Sequence, residues 1–466
     1  MLIGSRAHLT SFSKRMKPSP LRNSTIFLME GSDLCNVLDM TLRFRIELLL
    51  DTSPDGRDAA RRVVLVDRET ELQHELAVAF LLDEFGQTPL NTQIAVLSDL
   101  AFFLEWQLLR TRRAEASGKA KAPFISPEGR VLVGNRALTN REVTEYCRWA
   151  CLSADKLATA LSDESSTFAL LATGKAVKFG TSNRRIRTTG TYVAWLTKEC
   201  DPRLELTAEE HRMLEASSHS IRMEFHKHLA AGDDSVEVRS LDDNQRNSLE
   251  RAIGNGGPFP QTPTGLRDRL IVETLNETGL RAGELLKLCC ADVIESWEYK
   301  PGRFTGCIKV VEAQNDPADT RLHEPACKTG GGLVPISTSL AAKLIEYIVG
   351  DREAAVFKSN SATPFIFVNH EGKYEGSPLG RRNLNRILAK LKSFESLPST
   401  ISPHVLRHTN LNHVYKTATS KGRDAREIVI QRGRWSTKST MPDRYAARAI
   451  EERSAELVQQ RDQIIS

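Results

Sequence analysis

The sequence predicts a mainly helical fold with a small antiparallel β-sheet, preceded by an all-helical domain. Apolar residues recur at three- and four-residue steps in several segments between positions 90 and 391. Short strand-like runs cluster over 306–336, and a polar, glycine-rich stretch at 230–262 separates two halves. At 466 residues the chain has room for two or three domains. Its 40% hydrophobic and 26% charged residues describe a globular chain, and no apolar run approaches the roughly 18 residues of a membrane span. Met1 to Pro20 carries Arg and Lys without an apolar core, so no secretory leader is expected. Lys and Arg exceed Asp and Glu by 64 to 59, a net charge of +5. So mild an excess points to nucleic acid only where the charge gathers on one surface. The eight cysteines form no CxxC pair and no zinc-type spacing, which reads as reduced thiols in a cytosolic protein.

Residues 1–86 read as an N-terminal region of unclear role, with prolines at 18 and 20 and a Ser53-Pro54-Asp55-Gly56 turn. A strand over 63–66 and a helix over 71–85 are expected there. A helical domain follows over 87–235. Its first helix, 90–106, is marked by Ile94, Leu97, Leu100, Ala101 and Leu104. A basic loop over 119–129 leads to a helix at 140–152, capped by Thr139 or Asn140. A third helix over 182–199 turns Tyr192, Trp195 and Leu196 inward. Residues 236–262 read as a linker.

The C-terminal domain, 263–466, begins with a helix that Gly279 closes and a second that opens at Arg281. Strands are expected at 306–311, 325–328 and 333–336, the last two forming a hairpin across a glycine-rich turn. The insertion 313–324 has no assigned role. A short apolar run over 365–369 follows. The helix over 381–392 turns Leu384, Ile387, Leu388 and Leu391 inward and sets Arg382, Arg386 and Lys390 on a basic face. Pro403 suits the first turn of a helix that places 404, 407 and 408 on one face.

The chemistry lies in Thr278-Gly279-Leu280-Arg281-Ala282-Gly283-Glu284-Leu285-Leu286, in His404-Val405-Leu406-Arg407-His408, and in Tyr445. Two arginines, a histidine and a tyrosine suffice to attack a phosphodiester without metal. The arginines hold phosphate oxygens, the histidine manages a proton and the tyrosine is the nucleophile. Taken alone, Arg281 reads first as the partner of Glu284 on a helix surface.

In this order, with Lys328 between the arginine motifs, the set resembles the tyrosine recombinase (phage integrase) family. The resemblance implies an α+β catalytic domain behind a helical, SAM-like core-binding domain. It implies that Arg281 and Arg407 clamp the phosphate and that His404 orients the tyrosine and handles its proton. Lys328 would protonate the departing 5′ oxygen, and Tyr445 would form a 3′-phosphotyrosyl bond. His408 supports the site from behind. Trp435 or Arg434 fills the slot that relatives give to His or Trp, with the spacing to the tyrosine one residue longer than usual for Trp435. The lysine hairpin turns through glycines where many relatives carry basic residues. Arg184, Arg185 and Arg187 would contact phosphates. Arg382 and Arg386 would track phosphates or enter a groove, or simply form a solvated face.

No metal and no cofactor is implied. The implied partner is double-stranded DNA, bound by a homotetramer on paired sites, with accessory proteins and a cytoplasmic, nucleoid-associated location. The tail 446–466 would dock on a neighbouring protomer or fold back on its own domain. A type IB topoisomerase would use the same chemistry, and a catalytically silent DNA-binding relative would share the fold. The two motif strings, with helices before them, favour the recombinase. The DNA site, and the choice among integrase, transposase and dimer resolvase, are not written in the motifs.

Overall fold

The computed structural model describes residues 43–51, 60–116, 125–153, 156, 177–203, 205–231, 240–254, 256–313, 316, 319, 321, 323–327, 330–392, 394–445, 450–451, 454–455 and 458. The turn at 53–56, most of the 119–129 loop, Lys328 and most of the tail lie outside them. The chain divides into two compact units, Met1–Asp234 and Ser235–Ser466.

In the first unit, β1 (Phe44–Asp51) pairs antiparallel with β2 (Ala60–Asp67), with Phe44 opposite Asp67. Val63 and Leu65 alternate inward, and Phe44, Ile46 and Leu48 join them on the same core. The helices are α1 (Glu75–Phe85), α2 (Leu90–Ala116), α3 (Pro127–Leu132), α4 (Asn140–Ala150), α5 (Phe179–Glu199) and α6 (Ala208–His226). Thr139 and Glu142 form a capping box that starts α4. A core of Phe80, Phe103, Trp106, Tyr146, Tyr192 and Phe225 fills the centre. Gly190 brings α5 against α6, since a Cβ there would stand 2.9 Å from the Phe225 Cβ.

Over 87–235 the described elements are all helices, as expected, and the described part of 1–86 packs on the same core. A two-stranded hairpin with one apolar face is unstable until covered. The helices cover it, and Glu105 of α2 accepts from the Phe44 N–H at 3.2 Å.

The second unit opens with α7 (Asp243–Ile253), where a linker was expected. Asp242 and Gln245 make its capping box, and Leu249, Ala252 and Ile253 enter the core. The polar run is a helix start rather than a loop. Then come α8 (Pro263–Thr278), capped by Thr262 and ended by Gly279 at φ 63°, and α9 (Ala282–Leu286). The sheet runs β3 (Val293–Lys300), β4 (Arg303–Val310), β5 (Gly332–Ile336), antiparallel throughout. The expected 325–336 hairpin is corrected: β5 pairs with β4, Gly306 facing Ile336, and 311–331 is their long connection. The unforeseen β3 reaches β4 through a turn at Gly302, φ 71°.

The remaining helices are α10 (Thr338–Tyr347), α11 (Glu353–Ser359), α12 (Arg381–Ala389), α13 (Pro403–Ser420) and α14 (Ala425–Gly433). The packing of α8 and α14 on α13 gathers Gly279, Arg407 and Gly433 in one place. Among the described residues no helix is long and apolar enough to cross a membrane.

Candidate active site

The centre of the site is a carboxylate. Arg281 is the N-cap of α9, and its backbone N–H donates to Glu284 Oε2 at 2.7 Å while its guanidinium donates to Oε1 at 2.6 Å. Arg434, at the left-handed end of α14, also donates to Oε2. Arg407 Nη1 stands 3.9 Å from the same oxygen. The Glu284 side chain has 0% exposure. Burial pushes its carboxyl up, but the charges of Arg434, Arg281 and Arg407 and the Arg281 N–H hold it below the ordinary value.

Arg407 is fixed by backbone. Its Nη1 donates to Gly279 O and its Nη2 to Gly433 O, each at 2.7 Å. The cost is visible in its electrostatics, since burial and the neighbouring Arg281 and Arg434 charges disfavour its cation. Its guanidinium lies 5.1 Å from the Trp435 ring centre, and Trp435 in turn stacks on Tyr445 with centroids 5.9 Å apart. Arg281 is the more open of the pair, with a side chain 28% exposed.

Tyr445 is buried and its hydroxyl lies 3.0 Å from His408 Nδ1. His408 Nε2 is 3.3 Å from His404 Nε2. Tyrosine and two histidines thus form a line that ends at the exposed His404. Burial pushes the tyrosine hydroxyl up to about 12, against the lowering pull of Arg407 and Arg281. Burial, then the charges of Arg407 and Arg281, lower the His404 imidazole. The resemblance gave the tyrosine to His404; in the structure its hydrogen-bond partner is His408, one turn along the same face of α13.

The phage integrase family matches residues 239–452. That span holds both arginine motifs, Lys328 and Tyr445 in family order. The resemblance to the tyrosine recombinase family therefore holds over residues 239–452.

Among its relatives, tyrosine recombinase XerC of Oceanobacillus iheyensis is 28% identical over 179 residues, 38% of this chain and 49% of that protein. XerC of Roseiflexus castenholzii is 30% identical over 182 residues, 38% of this chain and 47% of that protein. The chain spans about half the length of the curated relatives it matches. The Tn1549 transposon integrase, solved in complex with transposon right end DNA, shares 15% identity over 82% of this chain and 98% of that one, with a TM-score of 0.39.

Within the matched span, Trp435 and Arg434 both enter the site. Trp435 packs between Arg407 and Tyr445, and Arg434 anchors on Glu284. Lys328 lies outside the described residues; the preceding Cys327 is buried, and its N–H reaches Ala313 O at 3.3 Å. Arg382 and Arg386 are exposed on α12, while Lys390 is tied to Asp268 at 2.7 Å.

The three arginines of α5 separate. Arg187 is exposed. Arg184 pairs at 3.0 Å with buried Asp99, whose carboxyl burial pushes up to about 6 against the pull of Arg184 and Arg185. Arg185 is corrected from phosphate contact to core residue. It donates to Ala150 O at 3.1 Å and Leu152 O at 2.8 Å and lies 4.0 Å over the Phe102 ring. Sequence reasoning also undervalued Glu284 and His408. The capping position of Glu284, three residues after Arg281, was its available signal.

Proposed function

We propose that the protein is a site-specific DNA recombinase that cuts and rejoins double-stranded DNA through a 3′-phosphotyrosyl bond to Tyr445. The observation that carries this reading is the Tyr445 hydroxyl on His408, with Arg407 and Trp435 packed beside it. A hydroxyl whose ionisation lies near 12 needs a base in contact, and His408 is that base, with His404 leading the proton outward. As the tyrosine oxygen bonds to phosphorus, its proton passes to His408. Arg281 and Arg407 bind the nonbridging oxygens, whose charge grows in the transition state.

Two of the five N–H donors of Arg407 are held by carbonyls, which sets the plane of the others. The bond from phosphorus to the 5′ oxygen breaks, and Lys328 gives that oxygen its proton. The reverse sequence joins the phosphate to another 5′ hydroxyl without ATP. Glu284 keeps the arginines aligned and touches no substrate.

The N-terminal unit is proposed as the core-binding domain, with Arg187 as its phosphate contact, and Arg382 and Arg386 serve the catalytic unit. A homotetramer on paired DNA sites, accessory proteins, and a cytoplasmic, nucleoid-associated location complete the proposal.

The test uses nicked duplexes carrying a sequence selected from random DNA by binding to the Tyr445→Phe protein. Wild type in EDTA should yield an SDS-resistant protein–DNA band that Tyr445→Phe lacks. Tight binding with no band from wild type would leave the catalytically silent DNA-binding relative as the better account.

A further inference from the structure

Glu284 has more cations around it than one carboxylate needs, and they are not equivalent. Arg281 and Arg407 are the pair proposed to clamp the phosphate. Arg407 Nη1 stands 3.9 Å from Glu284 Oε2, beyond hydrogen-bond reach, and its donors go to Gly279 O and Gly433 O instead. Arg434 donates straight to Oε2. Among the charges that hold the Glu284 carboxyl down, that of Arg434 comes first, ahead of Arg281 and Arg407.

A second, independent observation is the backbone of Arg434. It ends α14 at φ 52° and ψ 47°, the left-handed region, where a side chain is crowded and glycine is the usual occupant. Strain of this kind gathers at functional sites. The turn drives a long cation into the interior. Arg434 is 8% exposed, with its Nη1 on Arg432 O at 3.2 Å and its Nε–H buried without a hydrogen-bond partner. So poorly satisfied a buried cation is costly unless its charge is used where it stands. Its neighbours serve the same centre: Gly433 O holds Arg407, and Trp435 packs on it.

The charges then balance. A phosphodiester carries one negative charge, and the tyrosine oxygen adds a second once its proton has passed to His408. Arg281, Arg407 and Arg434, set against the single charge of Glu284, leave two positive charges to meet them. Without Arg434 the buried carboxylate would cancel the charge of one clamp.

We infer that Arg434 is a positioning residue that acts as the counter-ion of Glu284. It lets the carboxylate aim Arg281 and Arg407 without drawing their charge away from the phosphate. This rests on the proposed attack of Tyr445 on a phosphodiester.

The experiment compares the selected nicked duplex with the same duplex carrying a methylphosphonate at the position that wild type cuts. There a methyl group replaces one nonbridging oxygen and removes one negative charge. In both, the bond from the Tyr445 oxygen to phosphorus forms and the bond to the 5′ oxygen breaks. The readout is the ratio of single-turnover rates, diester over methylphosphonate, because lost aim slows both substrates alike.

Arg434→Gln should lower this ratio on the order of 10²-fold. Glu284→Gln removes the opposing charge and should raise it, and the double variant should return it to the wild-type value. Where Arg434→Gln does not fold, the other two variants carry the test, since neither leaves a buried carboxylate without its counter-ion. A ratio that stays at the wild-type value in every folded variant would overturn the inference and leave Arg434 a structural anchor. A double variant as low as Arg434→Gln would overturn it too, by placing Arg434 on the phosphate itself. If wild type forms no adduct with the diester, the phosphotyrosyl reading fails, and the inference with it.

Discussion

Replacing Glu284 by glutamine tests how the arginines are held. The carboxylate is fully buried and faces Arg281 at 2.6 Å, Arg434, and Arg407 at 3.9 Å. Removing one partner from a buried ion pair costs roughly 3–5 kcal/mol. Glutamine keeps the volume and can still accept from the Arg281 N–H. Arg407 keeps Gly279 O and Gly433 O, and Arg434 keeps Arg432 O. The lower end, roughly 3 kcal/mol, is therefore expected. At about 2–4 °C per kcal/mol for a unit of this size, the transition of the C-terminal unit should fall by about 6–12 °C in calorimetry.

The sign with pH follows from the depressed carboxyl. Its stabilisation is fully present above the ordinary value of 4.5 and is lost as pH falls through the lower folded value. Glu284→Gln should therefore flatten the acid limb of the stability curve. Cleavage should drop on the order of 10²-fold as the guanidiniums lose their aim. Equilibrium binding to DNA should hold, because a negative charge has left a phosphate-binding cluster. Unchanged stability, or affinity lost in step with cleavage, would refute the reasoning.

Other variants separate the remaining roles. His408→Ala should slow single-turnover cleavage by about 10²–10⁴-fold and make the rate climb with pH toward the tyrosine's own ionisation near 12. His404→Ala should cost less, since His404 stands behind His408. Arg187→Gln should lower the salt slope of DNA binding by about 1, whereas Arg185→Met should leave that slope alone and lower the melting temperature of the N-terminal unit. Gly190→Ala should destabilise that unit by about 1–3 kcal/mol in denaturant titration, because the new methyl meets Phe225.

What was legible in the sequence followed short-range pattern. Arg281, Arg407 and Tyr445 sit in strings whose order survives translation into space, and helices α2, α4, α5 and α12 follow their apolar spacing. Long-range partners were not legible. His404 and His408 share a face of α13, and spacing alone does not say which meets a tyrosine 37 residues away. The charge of Arg185 looked like surface until Ala150 O, Leu152 O and Phe102 were seen to enclose it.

Helix α7 was read as a linker because its capping box is itself polar. Strand β3 buries only Val293 fully and carries Glu295 and Glu298, so it lacks an alternating apolar face. Arg281 was read either as the partner of Glu284 or as a phosphate clamp; the structure shows the pairing at 2.6 Å, and the same carboxylate caps α9 and gathers the arginines.

The most direct test of the central claim is to digest the trapped protein–DNA adduct and sequence the modified peptide by mass spectrometry. The account predicts a nucleotide joined through its 3′ phosphate to Tyr445, with a free 5′ hydroxyl on the released strand. Attachment at another residue, or a 5′-linked phosphate, would contradict it.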